Sequence, residues 1–195
     1  SKHSFASGSV DDVLDATKKY VENMVRLSGN SPGAVLDIDD TCVFMKDNME
    51  IPYGKTASFY HFLLKLKIKI HFVTARPNSS RGYVSKMLAN TGYGIFDGLW
   101  MHEDGKPTDP RSISCRKHAH RRHIRQKFCS EIVVNVGNYW GDLMVPSSPL
   151  WKYGEEDTWE RHRHKNSETL ACDSAYMFRH LCDTDLFSVK LPDCV

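Results

Sequence analysis

The sequence predicts an α/β fold, a parallel sheet joined by right-handed helical crossovers, and three observations carry that reading. Short apolar, often β-branched runs take turns along the chain with longer segments whose apolar residues recur at helical spacing. Gly, Pro, Asn and Ser clusters punctuate the alternation, which is the order of a parallel sheet rather than of consecutive hairpins. The apolar runs also end in polar residues, and the carboxyl ends of strands are where an open α/β sheet places its chemistry.

The elements follow in order. Ser9 with Asp12 forms a capping-box pattern, after which Val13, Leu14, Tyr20, Val21, Met24 and Val25 recur at helical spacing as far as Leu27. Ser28-Gly29-Asn30-Ser31-Pro32-Gly33 breaks that helix, and the apolar run that follows, ending at Asp37, reads as a buried strand. Pro52 and Gly54 precede a second helix over 55–66 with Phe59, Phe62, Leu63 and Leu66 on its inner face, and residues 68–73 read as a second strand. Pro77-Asn78-Ser79 is expected to start a helix through Tyr83, Val84, Met87 and Leu88, which Gly92 stops before a short strand over 99–101. A basic helix over 114–127 and an apolar, β-branched strand over 131–136 ending at Gly137 complete the alternation. Beyond Pro149 the pattern weakens into a charged, aromatic segment over 151–165 and an expected helix over 174–181.

Length and composition bound the reading. With 195 residues, 41% of them hydrophobic, the chain is expected to be one domain, with a core over about 30–145, an N-terminal helix over about 10–28 and a C-terminal extension over about 146–195. A formal charge of +2 is too small to argue for a nucleic-acid or membrane partner, although ten His residues make the chain more basic below about pH 6.5. No run of about 18 apolar residues is present, so no membrane span is expected. Residues 1–8 lack the apolar centre of a signal peptide. Cys42, Cys115, Cys129, Cys172, Cys182 and Cys194 show no Cys-x-x-Cys spacing, which argues against zinc and leaves a tail disulfide open. These features lean slightly to an intracellular protein, with export after signal removal as the alternative.

The chemistry concentrates at strand ends. Asp37 and Asp39, two residues apart on a turn closing at Thr41, repel each other and invite a cation, so the pair suits Mg²⁺ and a phosphate, one carboxylate attacking and the other moving protons. The plainer alternative is a turn that caps a helix. Thr74, with Ala75, Arg76 and Pro77 after it, offers a hydroxyl and backbone N–H donors at a helix start to phosphate oxygens, and an N-cap is compatible with that role. Lys117 lies in a basic run where a cation could neutralise the nucleophile and then the phosphoryl charge; a solvated helix face is the alternative. Asn138 and Asp142 offer hard oxygen ligands for Mg²⁺. The inter-strand segments are too short for a large cap domain, so the site is expected to be open. His118, His120 and His123 do not share one helix face and are read as solvated rather than metal-binding, the four tryptophans as packing residues, and Cys42 as a small buried residue.

Four ordered motifs resemble the haloacid dehalogenase (HAD) superfamily, and within it the acid phosphatases of the class B and plant vegetative-storage type, subfamily IIIB. They are Val35-Leu36-Asp37-Ile38-Asp39-Asp40-Thr41, Phe72-Val73-Thr74-Ala75-Arg76-Pro77, the spacing of Lys117, Arg121 and Ile124, and Asn135-Val136-Gly137-Asn138-Tyr139-Trp140-Gly141-Asp142-Leu143. Val189-Lys190-Leu191-Pro192-Asp193 is similar to the family's closing segment. The resemblance implies a three-layer, Rossmann-like HAD core with minimal or no cap. It also implies a Mg²⁺-dependent phosphomonoester hydrolase in which Asp37 forms an aspartyl-phosphate and Asp39 is general acid and base. Asp37, the Asp39 backbone carbonyl and Asn138 would hold the metal, Thr74 and Lys117 the phosphoryl group, with Asp142, Thr41 and Arg76 in support.

One position departs from the pattern: the family usually has Asp where this chain has Asn138, which implies weaker Mg²⁺ binding and reduced activity. The alternative that follows is an inactive binding or storage scaffold on the same fold. A further alternative, from the basic stretch over 116–127, is a phosphatase for nucleotide or nucleic-acid ends; the expected partner otherwise is a phosphorylated small molecule or an exposed phosphomonoester.

Overall fold

The computed structural model describes residues 4–27, 31–129, 131–143, 174–179 and 187–191. Their elements are β1 (Ser4–Ser9), α1 (Val10–Leu27), β2 (Pro32–Leu36), β3 (Val43–Lys46), β4 (Met49–Pro52), α2 (Gly54–Lys65), β5 (Lys69–Pro77), a 3₁₀ turn (Asn78–Ser80), α3 (Arg81–Asn90), β6 (Gly98–His102), α4 (Pro110–Lys127), β7 (Glu131–Gly137), α5 (Trp140–Leu143), β8 (Ser174–Arg179) and β9 (Phe187–Lys190). The main sheet runs β1-β8-β9-β7-β2-β5-β6, and β3 with β4 forms a separate two-stranded hairpin. The five strands from β9 to β6 are parallel, as the alternation predicts, and β8 and β1 extend the sheet antiparallel.

β2 is the middle of the five parallel strands, and every residue of Pro32–Leu36 is buried, as in a strand covered on both faces. Its neighbours diverge by the period-two rule. Ala34 and Leu36 join a large cluster with Leu14, Phe59, Leu63 and Leu88 from α1, α2 and α3, whereas Val35 joins Val73, Ile132 and Ile124 of α4 in a smaller one. Helices therefore cover both faces in three layers. α1 starts at the expected capping box: Ser9 Oγ accepts from Asp12 N at 3.2 Å and donates to Asp12 Oδ2 at 2.6 Å.

Two expectations need correction, and one element has no counterpart among them. Residues 174–179 are the strand β8, not a helix; the short Ser-Ala-Tyr-Met-Phe-Arg run is ambiguous in period, and distant partners on both sides, β1 and β9, decide it. The helix expected at Pro77 begins later, because β5 continues through Pro77 and α3 starts at Arg81. The hairpin was not anticipated; its turn residues Asp47 and Asn48 both have positive φ, 51° and 60°, the pair of conformations that a tight two-residue connection needs and that Asp and Asn tolerate. The segment 151–165, Cys172, Cys182 and Cys194 lie outside the described residues. Cys42, Cys115 and Cys129 are free thiols.

Candidate active site

β2 delivers Asp37 at its carboxyl end, and the Asp37 N–H continues the ladder by donating to Val136 O at 2.9 Å. The chain then winds around one carbonyl: Cys42 N and Val43 N donate to Ile38 O at 2.8 and 3.0 Å, with Asp40 at φ 52°. Buried Ile38 anchors the turn, which leaves Asp37 and Thr41 buried and the side chain of Asp39 48% exposed. Register brings the other candidates alongside. Leu36 pairs with Phe72 and with Val136, so Thr74 within β5 and Asn138 just past the end of β7 follow on the two strands flanking Asp37.

Thr41 ties two of these together. Its Oγ1 accepts from Asn138 N at 3.0 Å and lies 3.1 Å from Asn138 Oδ1 and 3.4 Å from Asp37 Oδ2. A hydroxyl has one proton, so it satisfies only one of those two acceptors at a time. The surplus of hard oxygen acceptors around one point is a donor set that fits a small divalent cation. Asn138 nonetheless supplies no charge, and among the described residues no group of three His, Cys, Asp or Glu side chains is arranged to hold a metal.

α4 supplies the cation. Asp109 caps the helix by accepting from Ser112 N at 3.0 Å, and Pro110 occupies its first turn. Ser114, Lys117, Arg121 and Ile124, spaced three, four and three apart, form its buried stripe. Lys117 Nζ sits 2.6 Å from Asp37 Oδ1 and 2.5 Å from Asp142 Oδ1. Lys117 is therefore no solvated helix residue. Burial works to lower its pKa, but the two carboxylates outweigh burial and hold it above the usual lysine range. Burial first, and Asp142 second, push the Asp37 carboxyl up to about 8 against the opposing pull of Lys117.

Asp142 is thereby engaged with Lys117, and its Oδ2 accepts from Tyr139 N at 3.0 Å. The turn that carries it is pinned by α4: Ser114 Oγ donates to Gly141 O at 2.9 Å, and fully buried Arg121 donates to Asp142 O. Asn135 Nδ2 adds a bond to the same carbonyl at 3.3 Å. Gly137 is required by close approach, because a Cβ there would lie 2.7 Å from Asp142 Cβ. Ser114 is not marked by the sequence reading, and Asn135 and Arg121 enter it only as members of motifs, with no role assigned. The signal for Ser114 and Arg121 was the polar stripe itself.

Thr74 is buried inside β5, ahead of the strand's end at Pro77, and it neither caps nor precedes a helix; its Oγ1 accepts from Arg76 N at 3.1 Å. The Arg76 side chain turns to Asp39, with Nη2 at 2.7 Å and Nε at 3.1 Å from Oδ1, and its Nη1 meets Glu50 Oε1 of the hairpin at 2.8 Å. Glu50 was missed because nothing in its local sequence marks it. Cys42 is buried as expected, and burial, then Asp37 and Asp39, push its thiol well above the usual range. His120 and His123 are not simply solvated: their rings lie 5.7 and 5.4 Å from Trp100, which they help cover.

Comparison with known proteins places the family and the fold. The family model described as HAD superfamily, subfamily IIIB (Acid phosphatase), matches residues 43–167, well over half of the chain, from just after the Asp37 turn. The Stem 28 kDa and Stem 31 kDa glycoproteins of Glycine max are each 28% identical over 90 residues, 46% of this chain and 35% and 30% of theirs, so the chain matches about a third of the length of those relatives. The class C acid phosphatase from Bacillus anthracis has a similar fold, with TM-score 0.56, 11% identity and coverage of 80% of this chain and 70% of that one. Its tungstate-bound structure gives TM-score 0.55 at 10% identity with the same coverage.

Proposed function

The chain belongs to the HAD superfamily, subfamily IIIB, the acid phosphatases, and from that premise we propose that it is a Mg²⁺-dependent phosphomonoester hydrolase working through Asp37. The observation that supports the reading most is the buried Asp37 at the end of β2, 2.6 Å from Lys117, with Thr74 and Asn138 on the two strands that flank it. Asp37, the Asp39 backbone carbonyl and the Asn138 amide oxygen would hold Mg²⁺, and when bound the ion would supply positive charge that offsets the charge of the nucleophile and the phosphoryl group. A carboxyl pushed up by burial is a poor nucleophile until a further cation favours its ionised form, which is consistent with that assignment.

An oxygen of Asp37 attacks phosphorus, and the ester P–O bond breaks with its electron pair on the departing oxygen, which takes a proton from Asp39. Asp39 then accepts a proton from water as that water attacks the aspartyl-phosphate, releasing phosphate and restoring Asp37. Lys117 spends two N–H donors on Asp37 and Asp142 and has a third for a phosphoryl oxygen, and the buried Thr74 hydroxyl would be a further donor to it. Thr41 and Asp142 act in support, through Asp37 and Lys117 respectively.

The substrate class that fits is a phosphorylated small molecule or an exposed phosphomonoester. The test is phosphate release from nitrophenyl phosphate with Mg²⁺, with chelator, and in Asp37→Asn. Mg²⁺-dependent turnover absent from the chelated and Asp37→Asn samples is expected. Wild type no faster than Asp37→Asn across a broad ester panel rejects the enzyme and leaves the second reading, a binding scaffold, which the neutral Asn138 favours.

A further inference from the structure

We infer that Glu50, on the hairpin following the Asp37 turn, is a positioning residue for Asp39: it holds the Arg76 guanidinium so that Arg76 pins one Asp39 oxygen and leaves the other for proton transfer. The inference rests on the reading of Asp39 as the acid and base.

The two oxygens of Asp39 are not equivalent. Oδ1 accepts from Arg76 Nη2 at 2.7 Å and Nε at 3.1 Å, whereas Oδ2 has only a share of Nε at 3.1 Å. Oδ2 therefore keeps acceptor capacity and is the atom that can carry a proton. It gives that proton to the departing ester oxygen as the P–O electron pair moves there, and the carboxylate left behind is the form that the Arg76 charge stabilises. The return proton comes from the water of the second step.

Arg76 holds this geometry only if its fork cannot turn elsewhere. Arginine binds phosphate in the same two-pronged way as carboxylate, so an arriving phosphoryl group competes for it. Glu50 opposes that competition. Its Oε1 accepts from Arg76 Nη1 at 2.8 Å and its Oε2 from the Tyr83 hydroxyl at 2.7 Å, so the carboxylate is fixed from two sides and its side chain is only 11% exposed. At the other end of Arg76, its N–H is held by Thr74 Oγ1 at 3.1 Å. Asp39 is half exposed on a turn whose next residue has φ 52°, and among the described residues Arg76 is the group that donates to its side chain.

The test compares wild type with Glu50→Gln and Tyr83→Phe on two esters. Nitrophenolate leaves without a proton, but an alkoxide needs one, so loss of Asp39 alignment is read in the alkyl-to-nitrophenyl ratio of kcat/KM. Glu50→Gln is expected to lower that ratio about tenfold, a fraction of what a general acid contributes, and Tyr83→Phe to lower it less. The independent readout is solvent exchange of the Arg76 Nε–H by ¹⁵N NMR, slow in wild type and expected to quicken at least about tenfold in Glu50→Gln. Unchanged exchange overturns the clamp. Quickened exchange with an equal fall on both esters overturns the role in proton transfer. Absence of wild-type turnover on either ester removes the proposed reaction and Asp39's part in it, and the exchange result then judges the clamp separately.

Discussion

Replacing Lys117 with methionine removes the cation between Asp37 and Asp142 and keeps most of the side-chain volume. Both carboxylates are 7% exposed or less at the side chain, so water cannot take the place of the ammonium. Breaking a buried ion pair from one side costs about 3–5 kcal/mol, against a total stability of about 5–15 kcal/mol for a domain, so the variant folds but is much weakened. The loss has a pH signature. Lys117 pulls the Asp37 carboxyl down against burial and Asp142, so without it Asp37 rises further above its unfolded value, the folded state keeps a proton over a wider range than the unfolded one, and stability falls more steeply as pH rises. Urea denaturation in chelator at pH 5 and pH 8 is the assay, with the larger loss expected at pH 8. Adding Asp142→Asn should return about 1–3 kcal/mol at pH 8, because the two sites share one interaction. A loss below about 1 kcal/mol, or an equal loss at both pH values, refutes the claim that Lys117 neutralises a buried acid pair.

Three further outcomes are expected. Gly137→Ala puts a Cβ 2.7 Å from Asp142 Cβ, so it should cost about 1–3 kcal/mol in thermal unfolding and lower phosphate release by displacing Asp142 from Lys117. Burial lowers the pKa of His71, so its unfolded form binds the extra proton and stability is lost as pH falls below about 6.5; His71→Gln should flatten the acid side of a melting-temperature profile over pH 5–6.5. Asn138→Asp should tighten Mg²⁺ in a calorimetric titration by adding a charge to the oxygen set, and equal or weaker binding in the Asp form counts against Asn138 as a ligand.

The parts of the fold that were legible from sequence are those whose signal is local. The Ser9 cap, the periodicity of α1 and α2, and the buried run of β2 each depend on residues within a few positions, and each lies where the pattern puts it. β8 was misread for the opposite reason: over six residues the periods of helix and strand cannot be told apart, and the choice is made by β1 and β9, which lie far off in the chain. The hairpin was legible in principle, since Asp47-Asn48 between two apolar runs is a turn signal, but it is short and half exposed.

The candidate site divides the same way. Asp37, Asp39, Thr74, Lys117, Asn138 and Asp142 could be chosen from sequence because strand ends and a basic helix announce the kinds of group present. How those groups pair was not available there, because pairing depends on which faces and registers meet. Only the folded chain sets Lys117 between two acids, commits Asp142 to Lys117, and brings Glu50 from a hairpin and Arg76 from β5 together over Asp39. Residue type and local period are properties of a stretch of chain, whereas a charge's partner, its burial and hence its protonation are properties of the three-dimensional neighbourhood.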